Sequence, residues 1–199
     1  MIDQSKCKKI LSKSVCVYCA SSNSVSSEFF SVAEELGTTI AKDGYDLIFG
    51  GGEIGLMGAV ARSVHSHGGH VVGVIPEFLR LPGICYESCD ELVVTKDMRE
   101  RKAAMEARAD AFIALPGGFG TLEEMLEVIT LKQLRILNKP AIFLNTNGFY
   151  DGLNAMFEHI FDHHFAKPHY RELYHFSPDV TDAMAHIDSY EPMALGTKW

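Results

Sequence analysis

Two stretches of the chain carry residue types that can do chemistry at a useful spacing. Residues 115–124 read LPGGFGTLEE and residues 98–102 read MRERK. In the first, three glycines within four residues let the backbone come close to a bound group. The helix that must follow points unpaired N–H groups and a partial positive charge at the same place. An anion fits there, a phosphate above all. Thr121 and Glu124 have capping-box spacing with Thr121 as the N-cap, so Glu124 has two jobs open to it. It can close the helix end, or it can present a carboxylate beside the bound group.

In the second stretch, Asp97 and Glu100 form another capping box. Residues then advance about 100° each, which places Met98, Arg101, Lys102, Met105 and Ala109 on one helix face. The two methionines direct that face into the protein, so two cations point inward without an acidic partner at helical spacing. They can snorkel to the surface, pair with a distant carboxylate such as Glu87 or Glu124, or meet an anionic ligand. Arg99 and Arg108 fall on the outer side as ordinary solvated charges.

A third run, GGGEIGLMG over residues 50–58, satisfies GxGxxG through Gly50, Gly52 and Gly55. A dinucleotide site usually has this motif on the first strand unit, with an acidic residue at the end of the next strand. Here it stands on the second unit, and the nearest candidate, Glu77, follows a proline and comes late. Backbone room at a strand end, with Leu56 and Met57 packing a helix onto the sheet, accounts for the glycines equally well.

The elements that must position these groups follow from periodicity. Strands are expected over residues 15–20, 45–49, 70–75, 91–95, 111–115 and 141–145. Helices are expected over 27–42, 56–67, 97–109, 121–137 and 149–165, with a last short one from 177 to about 189. Residues 76–88 read as an irregular crossing loop and 167–175 as a loop. Such alternation implies a single-domain, Rossmann-like α/β fold: a doubly wound parallel sheet of about six to seven strands with helices on both faces. The domain should span residues 14–190 between tails 1–13 and 191–199. Ligands in this architecture bind at the carboxyl ends of strands, so Ser21 and Ser22, Gly50 to Gly52, and Gly117 to Gly120 should converge on one cleft.

Composition narrows the function classes. The 199 residues and 47% apolar content suit one large domain. A net charge of −8 argues against a nucleic-acid partner. No apolar run approaches membrane-spanning length, and the six apolar residues at 15–20 are too few for a signal-peptide core, so a cytoplasmic protein is expected. The five cysteines are scattered; Cys16 and Cys19 would face opposite sides of one strand and read as buried thiols in a reducing compartment. The histidines show no metal-ligand spacing, and no metal is expected.

MRERK and PGGFGTLEE together resemble the paired signatures MxxRK and PGGxGTxxE of the "lonely guy" family of cytokinin-activating phosphoribohydrolases. GGGEIGLMG and the strand end VYCASS also look like that family, and the resemblance spans about residues 15–190. It departs at Ala20, where family members often have glycine. The resemblance implies hydrolysis of the N-glycosidic bond of a nucleoside 5′-monophosphate to a free adenine-type base and ribose 5-phosphate, without a cofactor and in a homodimer. It also implies that Arg101 and Glu124 are the catalytic pair. Glu87, Lys102, Gly117, Gly118, Gly120, Thr121 and Glu123 would line the nucleotide site, with Ser21 at the same cleft. Such proteins are often labelled lysine decarboxylases, yet no lysine here stands in a pyridoxal phosphate setting. Two other classes remain open on the residues alone: a non-catalytic nucleotide or cofactor carrier, and a dinucleotide-dependent oxidoreductase.

Overall fold

The computed structural model describes residues 13–192. Seven strands form one parallel sheet: β1 Ser14–Tyr18, β2 Asp46–Phe49, β3 Val71–Pro76, β4 Glu91–Thr95, β5 Ala111–Ala114, β6 Ala141–Leu144 and β7 His175–Ser177. Their order is β4-β3-β2-β1-β5-β6-β7. Six helices connect or flank them: α1 Ser27–Lys42, α2 Gly55–Ser66, α3 Met98–Arg108, α4 Phe119–Gln133, α5 Asp151–Asp162 and α6 Val180–Asp188.

β1, β3, β5 and β6 are buried along their whole length, which is why they read as unbroken apolar runs and not as alternating patterns. Side chains leave the sheet alternately on its two faces. Val15, Val17 and Cys19 join the core beneath α1, α2 and α6. Cys16 and Tyr18 join the core beneath α3, α4 and α5. The opposite-face expectation for Cys16 and Cys19 therefore holds, and both are free thiols.

Chain order reverses between β1 and β5, the point where doubly wound folds open a crevice. Tyr18 pairs with Ala114 and Val17 with Phe49, so β1, β2 and β5 end at one level. The serine turn, the first glycine loop and the second glycine loop all start there.

Three local expectations change. β7 lies at the end of the stretch read as a loop; it has only three residues, and its strand character comes from pairing with β6. The segment before it, Pro168–Leu173, is a 3-10 turn opened by its proline. α4 begins at Phe119 with Gly118 as its N-cap, so Thr121 is the third helical residue and makes no cap. The capping-box reading of Thr121 and Glu124 falls with that shift. α5 is shorter than expected, and the chain leaves it through His164 at φ 60°. The expected tails lie largely outside the described residues.

Candidate active site

The cavity at the switch point encloses about 680 Å³. Each of the three turns contributes to its wall: Ser21 after β1, Gly50 and Gly52 after β2, and Gly118, Phe119, Gly120 and Thr121 at the start of α4. The turns are locked to one another through the backbone. Ala20 donates its N–H to the Pro116 carbonyl (3.2 Å), and the Ala20 carbonyl accepts from Leu56 (2.9 Å).

α3 supplies the cation. Asp97 caps it by accepting from the amides of Arg99 (2.9 Å) and Glu100 (3.0 Å), and Glu100 reaches back to the Lys96 amide (2.7 Å). This is the expected capping box with its return contact displaced by one residue. The helix phase so fixed turns Arg101 and Met105 into the protein, where Arg101 is 7% exposed. Its Nε donates to the Val74 carbonyl (3.1 Å) and its Nη1 to Glu124 Oε1 (2.6 Å). The guanidinium lies across Gly50, where any Cβ would overlap Nη2. One function of the first glycine loop is thus to make room for Arg101.

Glu124 comes from the second turn of α4 and is 9% exposed. It therefore lies beyond the first-turn amides that would favour its ionised form. Instead, burial pushes its pKa up from the ordinary glutamate value, and the Arg101 guanidinium only partly offsets that. The pair is buried, charge-assisted and open to the cavity, which both residues line. Of the three fates open to Arg101 in the sequence, pairing with Glu124 is the one observed, and it occurs inside the candidate site.

The neighbouring cation behaves differently. Lys102 forms ion pairs with Glu123 and Glu127 on α4. Burial works against its charge, but the two carboxylates outweigh that and hold the ammonium above its ordinary pKa. Lys102, Glu123 and Gly117 do not line the cavity. At Gly117 a Cβ would overlap Thr121 Oγ1, so this glycine lets the α4 turn fold back on itself. Glu87 lies on the exposed crossing loop, paired with Arg80 (3.3 Å), and it too is outside the lining. Ser21, Arg101, Gly118, Gly120, Thr121 and Glu124 are brought together.

The apolar part of the lining was not read from the sequence. Ile54, Met57, Ile75, Leu79, Ile84 and Met98 make it up. Leu79 and Ile84 belong to the crossing loop, which has no periodic pattern to reveal it. Backbone bonds hold this loop against the first glycine loop: Glu53 N–H to the Ile84 carbonyl and Tyr86 N–H to the Gly51 carbonyl, each 2.8 Å. The two prolines and one glycine of the loop signal only irregularity. Among the described residues no group of three or more His, Cys, Asp or Glu side chains could hold a metal ion. Nor is any described helix long and apolar enough to cross a membrane.

Comparison with known proteins sets this geometry in a family. Residues 57–187 match the family described as "Possible lysine decarboxylase". The Arabidopsis thaliana cytokinin riboside 5'-monophosphate phosphoribohydrolase LOG7 is 42% identical over 180 residues, covering 90% of this chain and 83% of that protein. LOG3 of the same plant is 41% identical over 178 residues, covering 89% and 83%. Among solved structures, the X-ray structure of TM1055 has a TM-score of 0.70 at 26% identity, covering 89% of this chain and 99% of that one. The molybdenum cofactor carrier protein of Chlamydomonas reinhardtii has a TM-score of 0.69 at 22% identity, covering 89% and 96%, a likeness of fold. By its match over most of both sequences, carrying MRERK and PGGFGTLEE on the two helices that meet at the buried Arg101–Glu124 pair, the chain belongs to the "lonely guy" phosphoribohydrolase family.

Proposed function

We propose that the cavity hydrolyses the N-glycosidic bond of an N6-modified adenosine 5′-monophosphate, releasing the free base and ribose 5-phosphate. The observation that carries this reading is a buried carboxylate–guanidinium pair beside a helix start without a side-chain cap. The amides at that start, with Gly118 and Gly120 leaving open space around them, suit the 5′-phosphate. Glu124 lies one helical turn further on, which sets the ribose against its carboxylate. The apolar part of the lining suits the base and an apolar N6 substituent. The names of the plant relatives point to the same substrate class.

As the C–N bond breaks, its electron pair leaves with the base and positive charge builds on the ribosyl ring. Glu124 faces that charge, and its low-dielectric setting strengthens the attraction. Water adds a hydroxyl to the anomeric carbon, and the departing base takes up a proton. The guanidinium offers only hydrogen-bond donors, so the part of Arg101 is to fix Glu124 and to hydrogen-bond the base or ribose. Thr121, buried at 4% exposure, holds the turn around the phosphate. Ser21 closes the cavity from the β1 side. In this reading Lys102 and Glu123 clamp α3 to α4, and Glu87 steadies the crossing loop.

The reading extends to a homodimer built on the outer face of α4, where Leu126 and Leu134 are exposed and Ile136 follows. Met125 and Val128, on the inner face, belong to the core. It also extends to a cytoplasmic setting, supported by four free cysteines among the described residues.

Incubation with AMP and with N6-isopentenyl AMP, followed by chromatography for free base and ribose 5-phosphate, tests the proposal. Product from the prenylated nucleotide supports it. Tight nucleotide binding without product from either would favour a carrier, although a carrier has no need of a buried Arg101–Glu124 pair.

A further inference from the structure

Tyr150 is 1% exposed and stands immediately before α5, outside the cavity lining. Its hydroxyl donates a 2.7 Å hydrogen bond to the carbonyl of Leu115. That carbonyl is where the sheet ends and the second glycine loop begins. The Leu115 amide still makes the last rung to the Tyr18 carbonyl (2.9 Å). The β5–β6 ladder has already finished at Ala114–Phe143. The Leu115 carbonyl thus leaves the sheet as a buried acceptor, and the peptide it belongs to leads into Pro116, which has no N–H to anchor it.

The orientation of this peptide sets the direction in which Gly117 and Gly118 depart, and hence where the first amides of α4 point. Two bonds define it: Tyr150 holds the Leu115 carbonyl, and the Ala20 amide holds the Pro116 carbonyl (3.2 Å). Tyr150 is itself over-determined. Its amide donates to Asn145 Oδ1 (2.6 Å), Asn145 Nδ2 donates to Asp151 (2.7 Å), and the Asn145 amide donates to the Ser177 carbonyl (2.7 Å). Its ring packs edge-on against Phe143 and Phe149 at 5.0 and 4.9 Å. Burial raises the pKa of the phenol above its ordinary value, so the hydroxyl remains a donor at any working pH.

We infer that Tyr150 is a positioning residue for the phosphate end of the site. By fixing the Leu115 carbonyl, its hydroxyl aims the amides of the glycine loop at the bound anion. The inference rests on the reading of that loop as the 5′-phosphate site.

Tyr150→Phe keeps the ring and its packing and removes only the donor. The probes are ribose 5-phosphate and N6-isopentenyladenine, each titrated by calorimetry, with KM and kcat for N6-isopentenyl AMP measured alongside. Ribose 5-phosphate affinity should fall about tenfold and KM rise by a similar factor, the scale of one buried hydrogen bond. Affinity for the free base and kcat should stay within about twofold. Phe143→Leu serves as a control, since it disturbs the same aromatic cluster without touching Leu115. Unchanged ribose 5-phosphate affinity in Tyr150→Phe, whatever its melting temperature, would overturn the inference. An equal loss in Phe143→Leu would do the same, by showing that a softened core suffices. If the unsubstituted protein does not bind ribose 5-phosphate, the phosphate reading itself fails and takes this inference with it.

Discussion

The two glycine-rich turns look alike in the sequence and are glycine-rich for different reasons. In the first, the protein's own atoms fill the space beside the glycines. A Cβ at Gly50 would overlap the Arg101 guanidinium, one at Gly52 would lie 2.6 Å from Met57, and one at Gly58 would overlap the Glu53 carbonyl. Gly55 sits at φ +67° with the Ser22 amide 2.6 Å from its Cβ position. In the second turn only Gly117 is constrained in this way. Around Gly118 and Gly120 nothing lies within 4 Å of the Cβ position, and neither has a positive φ. Folding does not require glycine at those two positions. They line the cavity, and the space they leave opens into it, where the proposed function puts the 5′-phosphate. The first turn builds the seat of the Arg101 guanidinium; in the proposed function the second receives the phosphate of the substrate.

Alanine substitutions can break this contrast. Gly50→Ala should have the largest effect, because the guanidinium must move off its bonds to Val74 and Glu124. Turnover should fall on the order of a hundredfold with a modest loss of stability, the scale of losing one charge-stabilising donor. A variant with full activity would show that Arg101 has no need of that seat. Gly118→Ala should weaken ribose 5-phosphate binding about tenfold and leave the melting temperature within a degree or two. Gly58→Ala should do the reverse, costing about 1–3 kcal/mol of stability through overpacking while the folded protein binds phosphate normally. A Gly118→Ala variant that melts early but binds normally would collapse the distinction.

The pH profile sharpens the role of Glu124. In the proposed mechanism the ionised carboxylate acts, and burial raises its pKa, so activity should be lost on acidification at a higher pH than an ordinary glutamate would dictate. An acid limb at or below the ordinary range would show that Arg101 outweighs burial.

A smaller effect is expected far from both turns. Lys132 on α4 is 3% exposed under the Tyr190 ring, 5.0 Å from its centroid, and burial lowers its pKa to about 8. An unfolded lysine keeps its proton to about 10.4, so the unfolded chain binds more protons between pH 8 and that value. The penalty for the buried charge is thus present at pH 7 and is relieved as pH rises through this window. Lys132→Met should therefore be more stable by about 1–3 kcal/mol at pH 7, a gap that narrows above pH 8 in paired melting curves. A variant less stable at pH 7 would mean that the cation–π contact dominates.

Much of this was legible in the sequence, and the limits have physical causes. Strand–helix alternation gave the sheet, because strands buried on both faces need long apolar runs. Helical phase placed Arg101 inward but left its partner open, since Glu124 meets it only through tertiary packing 23 residues away. The same phase grouped Lys102 with Arg101; the 100° between them is what sends one to the cavity and the other to Glu123 and Glu127. The apolar wall was hidden because Leu79 and Ile84 are placed by backbone bonds between loops. β7 was hidden because three residues paired to β6 carry no period of their own. Thr121 looked like an N-cap because the pattern was right, but the helix starts two residues earlier.

The central claim is that Glu124 is the group on which hydrolysis turns. Glu124→Gln preserves size and a contact to Arg101 while removing the charge. Release of free base from N6-isopentenyl AMP should fall by on the order of a hundredfold or more, while the variant, less stable for the loss of a buried counter-charge, stays folded at the assay temperature and retains ribose 5-phosphate binding. Near-normal base release by this variant would contradict the account.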